Sequence, residues 1–201
     1  RKTVKYWVAV PDVLQVKMFI LRNRPIYKFT TGDDDADLVS SVYLDNGQLE
    51  LYRGRLRKTH GALAIRIRWY GPETSLGPDS QVFVERKTHR ESWYGDDDAS
   101  AKERFPLSFA RVVPFLQGRL TPEEVGAYLR ECNFKGDVHE AVQLAREIQA
   151  VVLRKCLRPS LRTHYMRTAF QHTGDATVRC SLDTELCMSL EVCKDDEWKR
   201  S

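Results

Sequence analysis

Residues 64–70, AIRIRWY, alternate strictly: Ile65, Ile67 and Trp69 take one parity, Arg66, Arg68 and Tyr70 the other. Successive side chains of a strand face opposite sides of the sheet, so this pattern predicts a half-buried strand with one cationic face. The two-residue period recurs. QVFVERKTHRE (81–91) sets Phe83, Glu85 and Lys87 against Val82, Val84 and Arg86. SLRTHYMRTAF (160–170) places Tyr165 and Arg167 on one face, and DATVRCSLDTEL (175–186) sets Arg179, Ser181 and Asp183 against Val178, Cys180 and Leu182. RKTVKYWVAV (1–10) is rich in β-branched and aromatic residues and reads as a further strand, with Lys5 on the face of Arg1, Thr3 and Trp7. LVSSVYLDNG (38–47) reads as a strand ending at an Asn46-Gly47 turn.

Other stretches carry helical signals. Pro11 and Asp12 open a helix over PDVLQVKMFILRNR, and QLELYRGRLRK (48–58) predicts a short polar helix or turn. Residues of about 107–156 predict an inserted helical segment. Thr121-Pro122-Glu123-Glu124 supplies an N-cap, a proline at the first position and a capping-box glutamate, and Asp137 with Glu140 repeats the spacing. Val142, Leu144, Ile148, Val151 and Val152 read as core. TGDDDAD (31–37) and GPETSLGPDS (71–80) read as loops, and YGDDDASAKERF (94–105) as an acidic loop followed by basic residues, with Lys102 in a loop or helix start. The prediction is an α+β fold of at least six strands in a single domain spanning 1–201.

Charge changes the picture. The 201 residues carry a formal net charge of +4, with 30% charged and 42% hydrophobic residues. That composition supports a sizeable core and leans towards an anionic partner. The five cysteines form no CxxC pair, so neither a zinc site nor a disulfide framework is indicated, and a reducing compartment fits. No stretch approaches the roughly 20 apolar residues of a membrane span. The chain opens at Arg1 without a leader pattern and reads as part of something longer.

Lys5, Arg66, Arg68, Lys87, Arg167 and Arg179 each fall on one face of a predicted strand, and carboxylates do not alternate with them at matching positions. Arg66 and Arg68 would stand roughly 7 Å apart, with a repulsion of about 2 kcal/mol at an effective dielectric near 20. The acids concentrate instead in two loops, 33–37 and 96–98. If the sheet curls into a barrel, with Ile65, Ile67 and Trp69 packing against helices outside, these cations line its interior and need an anion there. Phosphate chains fit best, because guanidinium binds phosphate oxygens through paired hydrogen bonds and stays charged.

RKTVKYWV, SSVYLDN, AIRIRWYG, VFVERKTHRESW, ASAKERF, EIQAVVLRKCLRPSLRTHYMRTAF and GDATVRCSLDTEL, in this order, resemble the polymerase domain of the vacuolar transporter chaperone complex, of the catalytic-subunit type. That domain belongs to the triphosphate tunnel metalloenzymes, and the resemblance covers nearly the whole chain. It implies a closed antiparallel β-barrel, the triphosphate tunnel, with packed helices. It implies phosphate ligands at Lys5, Arg66, Arg68, Lys87, Lys102, Tyr165, Arg167 and Arg179, of which Arg66, Arg68, Lys87 and Arg167 would serve catalysis. Arg1 would stand at the tunnel mouth or on the surface. Lys102 is assigned by resemblance alone.

The resemblance further implies ATP and polyphosphate as ligands, Mn2+ or Mg2+ as cofactor, other subunits of a membrane-embedded complex as partners, and a place on the cytosolic face of a vacuole or acidocalcisome membrane. The family's metal glutamate lies on a strand expected after Ser201, so the metal ligands stay unassigned, the barrel is expected to lack C-terminal strands, and this segment alone is expected to be inactive or nearly so. Glu191, in SLEVCKD, only superficially matches that strand, and ion pairing is the favoured reading of Glu85 and Glu185. The expected activity is transfer of the γ-phosphate of ATP to a growing polyphosphate chain. A non-catalytic polyphosphate-binding accessory subunit and a tripolyphosphatase are the alternatives. Single-stranded nucleic-acid binding is disfavoured, because Trp69 takes the face opposite Arg66 and Arg68 and aromatic interleaving is poor.

Overall fold

The computed structural model describes residues 3–28, 35–89 and 101–191. The fold is α+β. Helix α1 spans Val13–Leu21 after a 3-10 turn at Val10–Asp12; strand β1 spans Asp37–Asp45, α2 Glu50–Leu56, β2 Leu63–Tyr70, β3 Gln81–Thr88 and β4 Ala101–Ser108. Helices α3 (Phe109–Leu116), α4 (Pro122–Glu131) and α5 (Val138–Arg154) follow, then the long strands β5 (Arg158–His172) and β6 (Asp175–Leu190). The six strands form one sheet in the order β4-β3-β2-β1-β5-β6, with β2–β3 and β3–β4 antiparallel.

Chain contacts divide the protein into two compact units. One comprises Arg1–Val39 and His164–Cys187, the other Ser40–Thr163 and Met188–Ser201. The second holds the main core. Ile65, Ile67, Trp69, Val82, Val84, Phe105 and Leu107 point from β2–β3–β4 onto Phe115, Leu129, Leu144, Ala145 and Ile148 of the helical segment. Phe105 meets Phe115 edge to face at 5.6 Å. The two-residue period of the strands and the helical period of α5 thus face each other, as the apolar pattern required. Gly126 allows α4 to approach α5, since a Cβ there would lie 2.6 Å from Val142 Cγ2. Thr121 accepts from Glu124 N at 3.2 Å while the Glu124 carboxylate accepts from Thr121 N at 2.7 Å, the reciprocal cap read from sequence. Asp137 caps α5 through His139 N and Glu140 N without the return bond.

Three expectations are corrected. First, residues 3–9 form no strand. No described segment pairs with them and both parities face solvent, Trp7 being 98% exposed, so strand propensity finds no surface to pack on. Second, Lys102 lies on a strand, not in a loop or helix start. AKERFPLS alternates, sending Phe105 and Leu107 into the core and Lys102 and Arg104 to the opposite face. Third, the sheet is not closed into a barrel among the described residues: β4 and β6 end the order, and none of the six strands bridges them. Arg1, Cys193 and most of the two acidic loops lie outside the described residues.

In the first unit, β5 and β6 join through a turn where Gly174 takes φ 77°. Ile26 bridges Phe170, and Tyr27 N donates to Ala169 O at 2.8 Å. Glu185 sits at φ 55° within β6, a backbone break beyond which the simple alternation of DATVRCSLDTEL cannot be extrapolated.

Candidate functional site

The antiparallel register of β2, β3 and β4 builds a small grid on the face away from the helices. Arg66, Glu85 and Arg104 form the middle row; Ala64, Lys87 and Lys102 flank it on one side, and Arg68, Phe83 and Pro106 on the other. Directly opposed residues of neighbouring strands share a face and lie about 4.5–5.5 Å apart at Cβ. Five cations therefore surround one carboxylate.

Glu85 is the hub and is only 2% exposed. Its Oε2 accepts from Arg66 Nε at 2.7 Å and Nη2 at 2.6 Å, and lies 3.7 Å from Arg68 Nη1. Its Oε1 accepts no hydrogen bond among the described residues and faces Arg104 Nη1 at 3.7 Å. Strand β1 supplies the outer braces: Arg66 Nη1 donates to Tyr43 Oη at 2.8 Å, and Arg68 Nε to Ser41 Oγ at 3.1 Å. Arg104 also lies over the Phe83 ring at 4.6 Å.

The electrostatics follow from crowding. Burial works against ionisation of Glu85, but Arg66, Arg68 and Lys102 outweigh it and hold the carboxyl below its usual range. Burial likewise opposes the charge on Arg66, and Tyr43 and Glu85 overcome it. Lys102 goes the other way. It keeps solvent access, yet desolvation by the protein around it lowers its pKa, opposed by Glu85 and reinforced by Arg68, Arg66 and Arg104. An excess of positive charge, on donors fixed by a sheet, is an arrangement suited to an anion with several oxygens.

The other predicted ligands fall in the first unit. Tyr165 and Arg167 share a face of β5, with the guanidinium 5.0 Å from the ring centroid, and Arg167 forms a two-bond pair with Asp183 of β6, both bonds at 2.7 Å. Arg179 is exposed on β6, and Lys5 is exposed in the segment without regular structure. The structure thus gathers Arg66, Arg68, Lys87 and Lys102 into one cluster and places Tyr165 beside Arg167. The expectation that no acids oppose these basic strands is corrected twice, by Glu85 and by Asp183. Arg104, Tyr43 and Ser41 went unrecognised in the sequence. Arg104 carried a signal, two positions after Lys102, that only the strand assignment makes readable.

A second polar cluster in the same unit has the opposite stoichiometry. Arg162 donates to both oxygens of Glu191, at 2.8 and 2.7 Å, contacts Glu73, and lies 5.7 Å from the Trp69 ring centroid. Arg162 and Glu191 are buried. Both Glu191 oxygens are engaged by a guanidinium, so this residue forms an ion pair and not a metal site. No group of three or more His, Cys, Asp or Glu suited to a metal occurs among the described residues. With Glu85 held by arginines as well, these residues do not fit a divalent cation.

The VTC domain model matches residues 1–201. The chain belongs to the VTC domain family. It is 43% identical to vacuolar transporter chaperone complex subunit 4 of Schizosaccharomyces pombe over 95% of its length and 26% of that protein's. It is 35% identical to subunit 4 of Trypanosoma cruzi, over 98% and 26% of the two chains, and 30% identical to S. pombe subunit 2, over 100% and 28%. The chain therefore spans about a quarter of the length of these curated relatives. Among solved structures, a Bacillus halodurans protein described provisionally as an adenylate cyclase is similar at 12% identity, over 88% of this chain and 67% of that one, with a TM-score of 0.48, too low to carry an argument. No helix among the described residues is long and apolar enough to cross a membrane.

Proposed function

We propose that this chain is the polyphosphate polymerase domain of a vacuolar transporter chaperone subunit, transferring the γ-phosphate of ATP to a growing inorganic polyphosphate chain. The observation that carries this reading is the grid on β2–β3–β4, where the register sets Arg66, Arg68, Lys87, Lys102 and Arg104 around Glu85. Higher identity to two subunits 4 than to subunit 2 supports the catalytic type.

Phosphoryl transfer asks the protein mainly for positioning and charge neutralisation. In the proposed reaction the guanidinium forks of Arg66 and Arg68 grip the phosphates of ATP. Glu85, Tyr43 and Ser41 fix those forks before the ligand arrives, so little reorganisation is needed. Lys87 and Lys102 neutralise neighbouring oxygens. An oxygen of the acceptor phosphate attacks the γ-phosphorus, the bond to the β-phosphate oxygen breaks, and ADP leaves. No side chain acts as nucleophile. Lys5, Tyr165, Arg167 and Arg179 are proposed as further ligands of the polyphosphate chain. Mn2+ or Mg2+ enters the proposal on family resemblance alone; no described residues fit it and no step is assigned to it. The proposed setting is a complex with other subunits on the cytosolic face of a vacuole or acidocalcisome membrane, without nucleic acid.

The absence of a fitting carboxylate cluster among the described residues, together with the subunit 2 relative, favours one second reading: an accessory subunit that binds polyphosphate without extending it. Incubating the complete protein with ATP and Mn2+ while quantifying polymer and ADP separates them. Polymer with stoichiometric ADP is expected. Retention of polyphosphate without ATP turnover would establish the accessory reading, and ADP with free phosphate but no polymer would indicate a phosphatase.

A further inference from the structure

We infer that a second, separate trough beside α2 binds a soluble oligophosphate. It lies in the larger unit and shares no residue with the β2–β3–β4 grid. A groove of about 420 Å³ is lined by, among others, Glu50, Arg53, Gly54, Arg57, His60 and Lys155. A neighbouring hollow of about 560 Å³ shares Glu50 and Lys155 with it and adds Arg154. Volumes of this size belong to small-ligand sites.

Arg53 and Arg57 are four residues apart, so they rise from the same face of α2 with Cβ atoms about 5–6 Å apart. Neither guanidinium has an ion pair among the described residues, and two like charges at that spacing disfavour the helix. The one acid of the groove, Glu50, is already paired with Lys155, which holds its carboxyl below the usual range. The charge of Arg53 and Arg57 is therefore left without an ion pair among the described residues.

Gly54 supplies an independent observation. Glycine is a poor residue inside a helix. A Cβ at Gly54 would meet Ala62 Cβ at 3.6 Å and Thr59 Oγ1 at 3.7 Å, both ordinary contacts, and its φ is not in the left-handed region. Neither packing nor backbone conformation demands glycine here, unlike at Gly126. Gly54 lines the groove beside Arg53 and contributes no side chain to it. Two guanidinium forks on one helix face, beside a groove of this volume, suit a ligand with several phosphates.

The test counts tripolyphosphate bound per chain to the complete protein at low ionic strength, by equilibrium dialysis, for the wild type, Arg53→Ala/Arg57→Ala and Arg66→Ala/Arg68→Ala. The expected result is that each double variant loses one equivalent, a different one, so that combining them loses two. Polymer synthesis should stay within twofold of wild type in Arg53→Ala/Arg57→Ala. Unchanged stoichiometry in that variant overturns the trough, whatever happens at the grid; unchanged stoichiometry only in Arg66→Ala/Arg68→Ala leaves the trough standing and removes the grid. Tyr52 and Leu56 of α2 and Leu49 at its N-cap are exposed, so vesicles of phosphatidylserine form a second arm. Loss of vesicle binding with tripolyphosphate stoichiometry retained would assign the arginines to a membrane surface and overturn the proposal. Arg53→Ala/Arg57→Ala removes only exposed, repelling charges, whereas Arg66→Ala/Arg68→Ala removes partners of the buried Glu85, and a circular-dichroism melt checks that each variant folds.

Discussion

Two buried arginine–carboxylate clusters in the larger unit are near inverses of each other. Around Arg162, one guanidinium serves two carboxylates, Glu191 and Glu73. Around Glu85, one carboxylate serves Arg66, Arg68 and Arg104, with Lys87 and Lys102 in the adjoining row. The chemistry of each contact is the same, but the ratio differs. The Arg162 cluster leaves both oxygens of its buried carboxylate engaged, so it has no capacity for a ligand. In the Glu85 cluster the basic side chains at neighbouring register positions outnumber the carboxylate. A buried ion pair by itself says little about function; an unbalanced one says which sign of ligand would complete it.

The largest effect should come from breaking the balanced cluster. Arg162→Met leaves Glu191 buried without its partner, and removal of one member of a buried pair destabilises by about 3–5 kcal/mol. Arg162→Met/Glu191→Leu should recover most of that loss in urea melts. Tripolyphosphate should rescue neither variant preferentially. A single variant as stable as wild type would show the pair to be energetically silent and dissolve the contrast.

Arg66→Ala addresses the unbalanced cluster. It removes a fixed donor from the proposed phosphate site, and comparable electrostatic donors are worth about 2–4 kcal/mol of transition-state stabilisation. Polymer synthesis should fall by two to three orders of magnitude. Stability should fall by less, because Arg68 and Arg104 still face Glu85. Wild-type turnover in this variant would remove the grid from the reaction.

Glu85→Gln sharpens the comparison further. The amide keeps the shape but removes the carboxylate charge at the centre of the grid, a change of about 1–3 kcal/mol for a buried charged hydrogen-bonding group. Saturating tripolyphosphate should restore most of the loss, because a ligand that binds only the folded state stabilises it by mass action. Arg162→Met should show no such selective recovery. Equal responses of the two variants to tripolyphosphate, read as melting-temperature shifts, would mean the clusters do not differ in the way their charge ratios indicate.

Local alternation made much of this legible. The faces of β2 and β3 follow from parity alone, so Ile65, Ile67 and Trp69 were readable as core and Arg66 and Arg68 as partners on the opposite face. The caps of α4 and α5 were readable because capping is a local exchange of hydrogen bonds. Register was not. Nothing in VFVERKTH states that Glu85 stands directly opposite Arg66, or that AKERF pairs so that Arg104 completes the row. Cross-strand neighbours are set by non-local pairing: the acids stood along the chain, Glu85 sharing a parity with Lys87 and Asp183 with Arg179, but their partners Arg66 and Arg167 lie across it. Residues 3–9 failed for the converse reason: their composition favours a strand, but strand formation depends on a partner. The Arg162–Glu191 pair joins residues 29 positions apart on a strand and just beyond the next one, which no local pattern announces.

The smallest expected effect concerns Lys102 and has a sign opposite to the others. Its pKa is lowered by desolvation, with Arg68, Arg66 and Arg104 adding to the shift and Glu85 opposing it. In the window between this lowered value and the unfolded value near 10.4, the unfolded chain binds more protons than the folded one, so stability rises with pH across that window. Below the window the charged Lys102 works against the fold. Lys102→Met should therefore stabilise the ligand-free protein at neutral pH, by no more than about 1 kcal/mol given the solvent access of this side chain. The advantage should shrink as pH rises towards 10.4. The same substitution should weaken tripolyphosphate binding, since an anion on the grid favours the charged amine and draws its pKa back up. Wild type should consequently take up more protons than Lys102→Met when tripolyphosphate binds on the alkaline side, measured by calorimetry in buffers of different ionisation enthalpy. Lys102→Met that is less stable and takes up as many protons as wild type would show Lys102 to be a structural residue of β4, and would reduce the excess charge on which the comparison with the Arg162 cluster depends.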